Sequence, residues 1–84
     1  MLKQKGGNFV EIRRNLAVNL YMIKAARGQT LDELAEELEI SRSQLQRYLN
    51  GTGNFTVNTV EHMATKLKVD PIALMSSADF EEVQ

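Results

Sequence analysis

The sequence contains no cysteine and no tryptophan. Disulfides and thiolate metal sites are thereby excluded, and a reducing compartment is compatible with the chain. A long apolar run is also missing: no window approaches the roughly 18 consecutive apolar residues that span a bilayer, and the N-terminus lacks the apolar core of a secretory signal. A soluble, cytoplasmic protein without membrane association is expected. A basic surplus is lacking too, since ten Lys and Arg face eleven Asp and Glu for a net charge of -1. Taken as a total, that balance argues mildly against nucleic acid, whose phosphates normally ask for a basic surface. Its distribution tempers that objection. All ten bases precede Asp70, whereas Asp70, Asp79, Glu81 and Glu82 close the chain without one.

Catalytic signals are equally scarce. No glycine-rich phosphate loop or nucleophile elbow occurs. His62 is the only histidine and has no Cys, His or paired carboxylate at ligand spacing, so it reads as a helix-surface residue. The acids between Asp32 and Glu37 read as the wet face of a helix rather than as an acid–base pair. No catalytic residue, cofactor or metal is expected, and the protein is not read as an enzyme. Eighty-four residues allow one domain with a single modest core.

What is present is a series of capped, amphipathic helices. Residues 1–7 hold Lys3, Lys5 and the pair Gly6 and Gly7, which a helix disfavours, and read as a flexible arm. Asn8 is a cap candidate with Glu11 three residues on, opening a long helix that ends before Gly28. Its core candidates are Leu16, Leu20 and Ile23, followed by Phe9, Ile12 and Val18 or Met22. Thr30 then pairs with Glu33 as a capping box, and Leu31, Leu34, Ala35 and Leu38 recur as one apolar stripe. The chain turns between Glu39 and Ser41. Ser41 caps a third helix in which Leu45, Tyr48 and Leu49 are apolar, while Arg42, Ser43, Gln44, Gln46 and Arg47 are polar, and Asn50 and Gly51 stop it. After a glycine-rich loop, Thr56 caps a fourth helix with the stripe Val57, Val60, Met63, Ala64 and Leu67, ending at Val69. Asp70 and Pro71 open a short fifth helix through Met75. Residues 76–84 form an acidic tail with Phe80 and Val83 as its only large apolar groups.

Two short helices across a tight break, the second with a polar tip, make a helix-turn-helix. The residues Thr30, Glu33, Leu34 and Ala35, then Ile40 to Ser43, then Arg47, Asn50 and Gly51 resemble the phage repressor and Cro class, or Xre family. The likeness extends more weakly from about Leu16 to Met75. It implies an all-α, compact five-helix repressor-like bundle over residues 8–75, with the helix-turn-helix at helices two and three. Two positions depart from the family. Glu39 stands where the turn often has Gly, at a cost of about 1 kcal/mol for a left-handed backbone. Leu31 stands where the family often has a phosphate-contacting Gln.

The resemblance further implies double-stranded DNA as the partner. Helix three would enter the major groove with Arg42, Ser43, Gln44, Gln46 and Arg47 reading base edges. Gln29, Thr30, Ser41, Thr52, Asn54 and Thr56 would contact phosphates, although Thr52, Asn54 and Thr56 could equally serve only to shape the loop and cap the helix. Arg47 could instead bridge to Glu36 or Glu37. Phe55 replaces a frequent proline and would be a contact residue if exposed. A homodimer on two half-sites and a repressor-like regulator follow from this reading. The competing reading is a protein-interaction module, such as an antitoxin-like or phage regulatory partner with secondary DNA binding. Glu39, Leu31, the acidic tail and the weak basicity motivate it.

Overall fold

The computed structural model describes residues 8–77, and side chains from Ile12 onward. The expectations for the arm at 1–7 and for residues 78–84 lie outside the described residues, and those for the cap at Asn8 with Glu11 and for Phe9 rest on side chains outside the described ones. Five helices follow in order: α1 (Asn8–Arg27), α2 (Leu31–Leu38), α3 (Arg42–Leu49), α4 (Val57–Leu67) and α5 (Pro71–Met75). Among the described residues there is no strand, and no helix is long and apolar enough to cross a membrane.

Local chemistry explains where these helices begin. The Thr30 hydroxyl accepts from the Glu33 backbone N–H at 3.1 Å while Glu33 Oε1 accepts from the Thr30 N–H at 2.9 Å, a closed capping box for α2. Ser41 Oγ accepts from the Gln44 N–H for α3, Thr56 Oγ1 from the Thr59 N–H for α4, and Asp70 Oδ1 from the Ile72 N–H for α5. Each cap satisfies one of the N–H groups that a helix start leaves unpaired.

Helix ends follow from left-handed residues. Glu39 sits at φ 61 and ends α2, with Ile40 N–H returning to the Ala35 carbonyl at 3.1 Å. The turn expected from the sequence is therefore made without glycine. Lys68 adopts the same geometry at φ 62, and Val69 N–H returns to Ala64 O at 3.0 Å. This corrects the expectation that Val69 ends α4: the helix stops at Leu67. In both cases the residue after the left-handed one packs against the core and anchors the turn.

The core joins all five helices through Leu16 and Leu20 of α1, Leu34 and Leu38 of α2, Leu45 and Tyr48 of α3, Val60, Met63 and Leu67 of α4, and Leu74 of α5. Ile23, Leu31 and Leu49 are half-buried against it. Four expected core positions are corrected. Val57 is 68% exposed, because the fourth helix's stripe is covered only from Val60 onward and its first turn is left bare. Ile12, Val18 and Met22 are likewise exposed. On α1 the face bearing Leu16 and Leu20 meets the core, which turns Val18 and Met22 toward solvent.

Side chains of α1 also finish the other helices. Asn19 Nδ2 lies 2.7 Å from Leu74 O and 2.9 Å from Ser76 O, and Asn15 Nδ2 donates to Met75 O, so carbonyls at the end of the five-residue α5 gain partners. Arg27 donates to Leu67 O at 2.8 Å and to Glu37 at 2.7 Å, tying the end of α1 to α4 and α2. His62 is exposed, and its Nε2–H donates to Leu38 O at 3.0 Å, at the carbonyl end of α2.

Candidate nucleic-acid interface

Leu45 and Tyr48 pull one face of α3 into the core, and this leaves Arg42, Ser43, Gln46 and Arg47 exposed on the other. These four side chains surround a shallow hollow of about 320 Å³. The capping geometry of Ser41 sets the direction in which the helix leaves the turn, so the exposed face begins at the first helical residue.

The donors on this face are held only lightly. Arg42 Nε lies 3.4 Å from Asp32 Oδ1 with both side chains about two-thirds exposed (68% and 71%), a pair that contributes little and leaves the Nη groups for another acceptor. Gln46 Nε2 is 3.3 Å from Asn50 Oδ1 one turn on, an exposed contact that a stronger acceptor would displace. Gln44 differs. It is half-buried, and its Nε2 donates to the Tyr48 hydroxyl at 3.1 Å. The alternative role for Arg47 is not realised: among the described residues it makes no ion pair, Glu37 being taken by Arg27 and Gln29.

A loop from Asn50 to Thr56 flanks the helix. Gly51 takes φ 75, which turns the chain back so that the N–H groups of Thr52 and Gly53 both donate to Arg47 O, at 3.1 and 3.2 Å. Gly53 lies flat on the Tyr48 ring, where a Cβ would come within 2.7 Å of Cδ1. Phe55 is half-buried and meets the same ring edge-on at 6.3 Å, so its role is packing rather than open contact. Asn54 is exposed and its Oδ1 accepts from Arg13 Nη2 at 2.8 Å.

The sequence-derived residues thus fall into three groups, of which Arg42, Ser43 and Gln46 on the first hollow are one. Ser41, Gln44, Arg47, Thr52 and Asn54 converge on a second hollow of about 320 Å³ between α3 and the loop. Gln29, Thr30 and Thr56 line neither hollow. Thr56 and Thr30 act as caps, and the Gln29 amide donates to Glu37 Oε1 at 2.7 Å. That amide is the first cause holding the Glu37 carboxylate below its ordinary range, with Arg27 adding to it and partial burial opposing. Lys66, 2.9 Å away, does the same for Glu39. Arg13 escapes sequence reasoning altogether, because it meets Asn54 across 41 residues of chain. Among the described residues no three His, Cys, Asp or Glu side chains gather as a metal site.

With this geometry established, known proteins provide the context. The helix-turn-helix domain family matches residues 15–75. Among solved structures, the chain is similar to the hypothetical transcription factor NHTF from Neisseria at 21% identity and a TM-score of 0.77, covering 96% of this chain and 93% of that one. It is similar to a helix-turn-helix family transcriptional regulator from Vibrio cholerae at 24% identity and a TM-score of 0.71, covering 79% of this chain but only 37% of the other. At such identities these likenesses speak for the fold. No curated protein matches the sequence. The family match, by contrast, spans most of the chain and includes both helices of the motif as well as their caps. The chain belongs to the helix-turn-helix domain family, of the Cro/Xre type, whose members are DNA-binding transcriptional regulators and in general not enzymes.

Proposed function

We propose that the protein binds double-stranded DNA sequence-specifically as a homodimer and regulates transcription in the manner of a repressor, with the N-terminal half of α3 in the major groove. The observation that carries this reading is the exposed α3 face: Arg42, Ser43, Gln46 and Arg47 stand clear of the core, with only weak partners among the described residues, next to a loop rich in hydroxyl and amide donors. An Arg fork suits guanine O6 and N7, and an amide suits adenine N6 and N7. Arg42 and Gln44 are the base readers in this reading. Gln44 would then exchange its Tyr48 contact for a base edge, a trade of one hydrogen bond for another. Ser43, Gln46 and Arg47 add further contacts. Ser41, Thr52 and Asn54 meet the phosphates from the loop side, and Gln29, Thr30 and Thr56 do so through helix starts.

One such helix covers few base pairs, so useful affinity calls for two copies on half-sites about one helical turn, roughly 34 Å, apart. Selection from a random duplex library tests the whole reading. The expected product is a symmetric pair of half-sites, bound with an affinity that falls steeply as salt rises. Arg42→Ala should then weaken cognate binding by about 1–3 kcal/mol and relax preference at one base pair. A protein that selects no sequence and ignores salt refutes it. The protein-interaction alternative loses two of its motives. Glu39 makes the turn it was expected to resist, and Leu31 is occupied in packing against the core.

A further inference from the structure

The hydrogen bond from Arg13 to Asn54 joins the second turn of α1 to the loop after α3, outside the helix-turn-helix itself. An asparagine amide has one oxygen that accepts and one NH₂ that donates, and it can present either to a ligand by turning over. A guanidinium only donates. Arg13 therefore demands the Asn54 oxygen, and the Asn54 Nδ2, the other end of the amide, donates to no partner among the described residues. Asn54 lines the same hollow as Arg47, Thr52 and Ser41. A positively charged donor on the oxygen also polarises the amide, which strengthens the opposite N–H groups as donors.

We infer that Arg13 is a positioning residue for backbone recognition: it fixes Asn54 with its Nδ2 toward the hollow between α3 and the loop, where that group donates to a DNA phosphate beside Arg47. This inference rests on the DNA-binding reading above and adds a residue from outside the motif. Turned over, the amide would show its oxygen to the phosphate, and two acceptors repel. The loop keeps the backbone of Asn54 in place without help from Arg13, since Gly53 is seated on Tyr48 and the Thr52 and Gly53 N–H groups are bonded to Arg47 O. Arg13 consequently sets the orientation of one side chain and not the course of the loop.

The test is a double-mutant cycle on the full chain, with binding to one fixed mixed-sequence duplex followed by fluorescence anisotropy over a range of salt. Arg13→Ala and Asn54→Ala should each weaken binding about three- to tenfold, the scale of one phosphate hydrogen bond. The double variant should be no weaker than Asn54→Ala alone, because Arg13 acts only through Asn54. The salt slope should be unchanged in Arg13→Ala, whereas a direct phosphate contact by Arg13 would reduce it by about 0.9. Thermal melts of the same variants identify any loss due to unfolding, and Arg13→Lys, which still donates, should recover most of the affinity. Additive losses, a reduced salt slope or undiminished binding by Arg13→Ala each overturn the inference while DNA binding stands. A wild-type chain that binds no duplex at any salt removes both.

Discussion

Gly53→Ala offers a direct measure of how tightly the interface loop is clamped to α3. A Cβ at position 53 would lie 2.7 Å from Tyr48 Cδ1, 3.0 Å from Cε1 and 3.3 Å from Arg47 Cβ. Comfortable carbon contacts begin at about 3.5 Å, so the ring or the loop must shift by roughly 0.8 Å. Neither is free to do so. Tyr48 is 3% exposed and meets Phe55 edge-on, while the loop backbone is bonded twice to Arg47 O. Overpacking of this kind costs about 1–3 kcal/mol. In a domain of this size each kcal/mol lowers Tm by about 4–8 °C. Gly51→Ala is the natural comparison, since its φ of +75 lies in the left-handed region but nothing stands within 4 Å of the added atom. It should cost about 1 kcal/mol from backbone strain alone. Replacing the ring separates the two causes. In a Tyr48→Leu background the Gly53→Ala penalty should largely vanish, whereas the Gly51→Ala penalty should persist. A Gly53→Ala protein that melts with the wild type, or a penalty fully additive with Tyr48→Leu, would refute the clash.

Two further expectations concern the helix ends. Lys68 holds φ 62 with a side chain that makes no salt bridge among the described residues and only adds, last among the causes, to the lowering of Glu37, so Lys68→Gly should raise stability by about 1 kcal/mol in urea unfolding, and an unchanged midpoint would contradict it. The Glu37 carboxylate, held below its ordinary value of 4.5 chiefly by the Gln29 amide and then by Arg27, contributes stability that is complete above that pH and lost as pH falls through the lower folded value. Wild type should therefore lose more stability on acidification below pH 4.5 than Glu37→Gln does. Identical losses in urea midpoint would show that the pair has no energetic role.

Much of this architecture was legible along the chain because its signals are short-range. Thr30 with Glu33, Ser41, Thr56, and Asp70 with Pro71 each act on N–H groups within about three residues, so spacing alone placed four helix starts. The third helix's stripe likewise separated Leu45 and Tyr48 from the polar positions that became the exposed face. Side-chain partners were less accessible to such reading. Periodicity ranks faces of a helix but does not reveal where a neighbouring helix stops, and Val57, Val18 and Met22 were misplaced for that reason.

The sequence by itself determined the number and order of helices, the turn at Glu39 and the polar surface of α3, since caps, stripes and turn residues act locally. Only the tertiary structure decided that Arg13 reaches Asn54 across 41 residues, that Asn19 closes α5, and that Glu37 takes Arg27 and Gln29, so that Arg47 makes no ion pair among the described residues. Those pairings depend on how whole helices dock, and docking is set by the sum of many apolar contacts that no local pattern encodes.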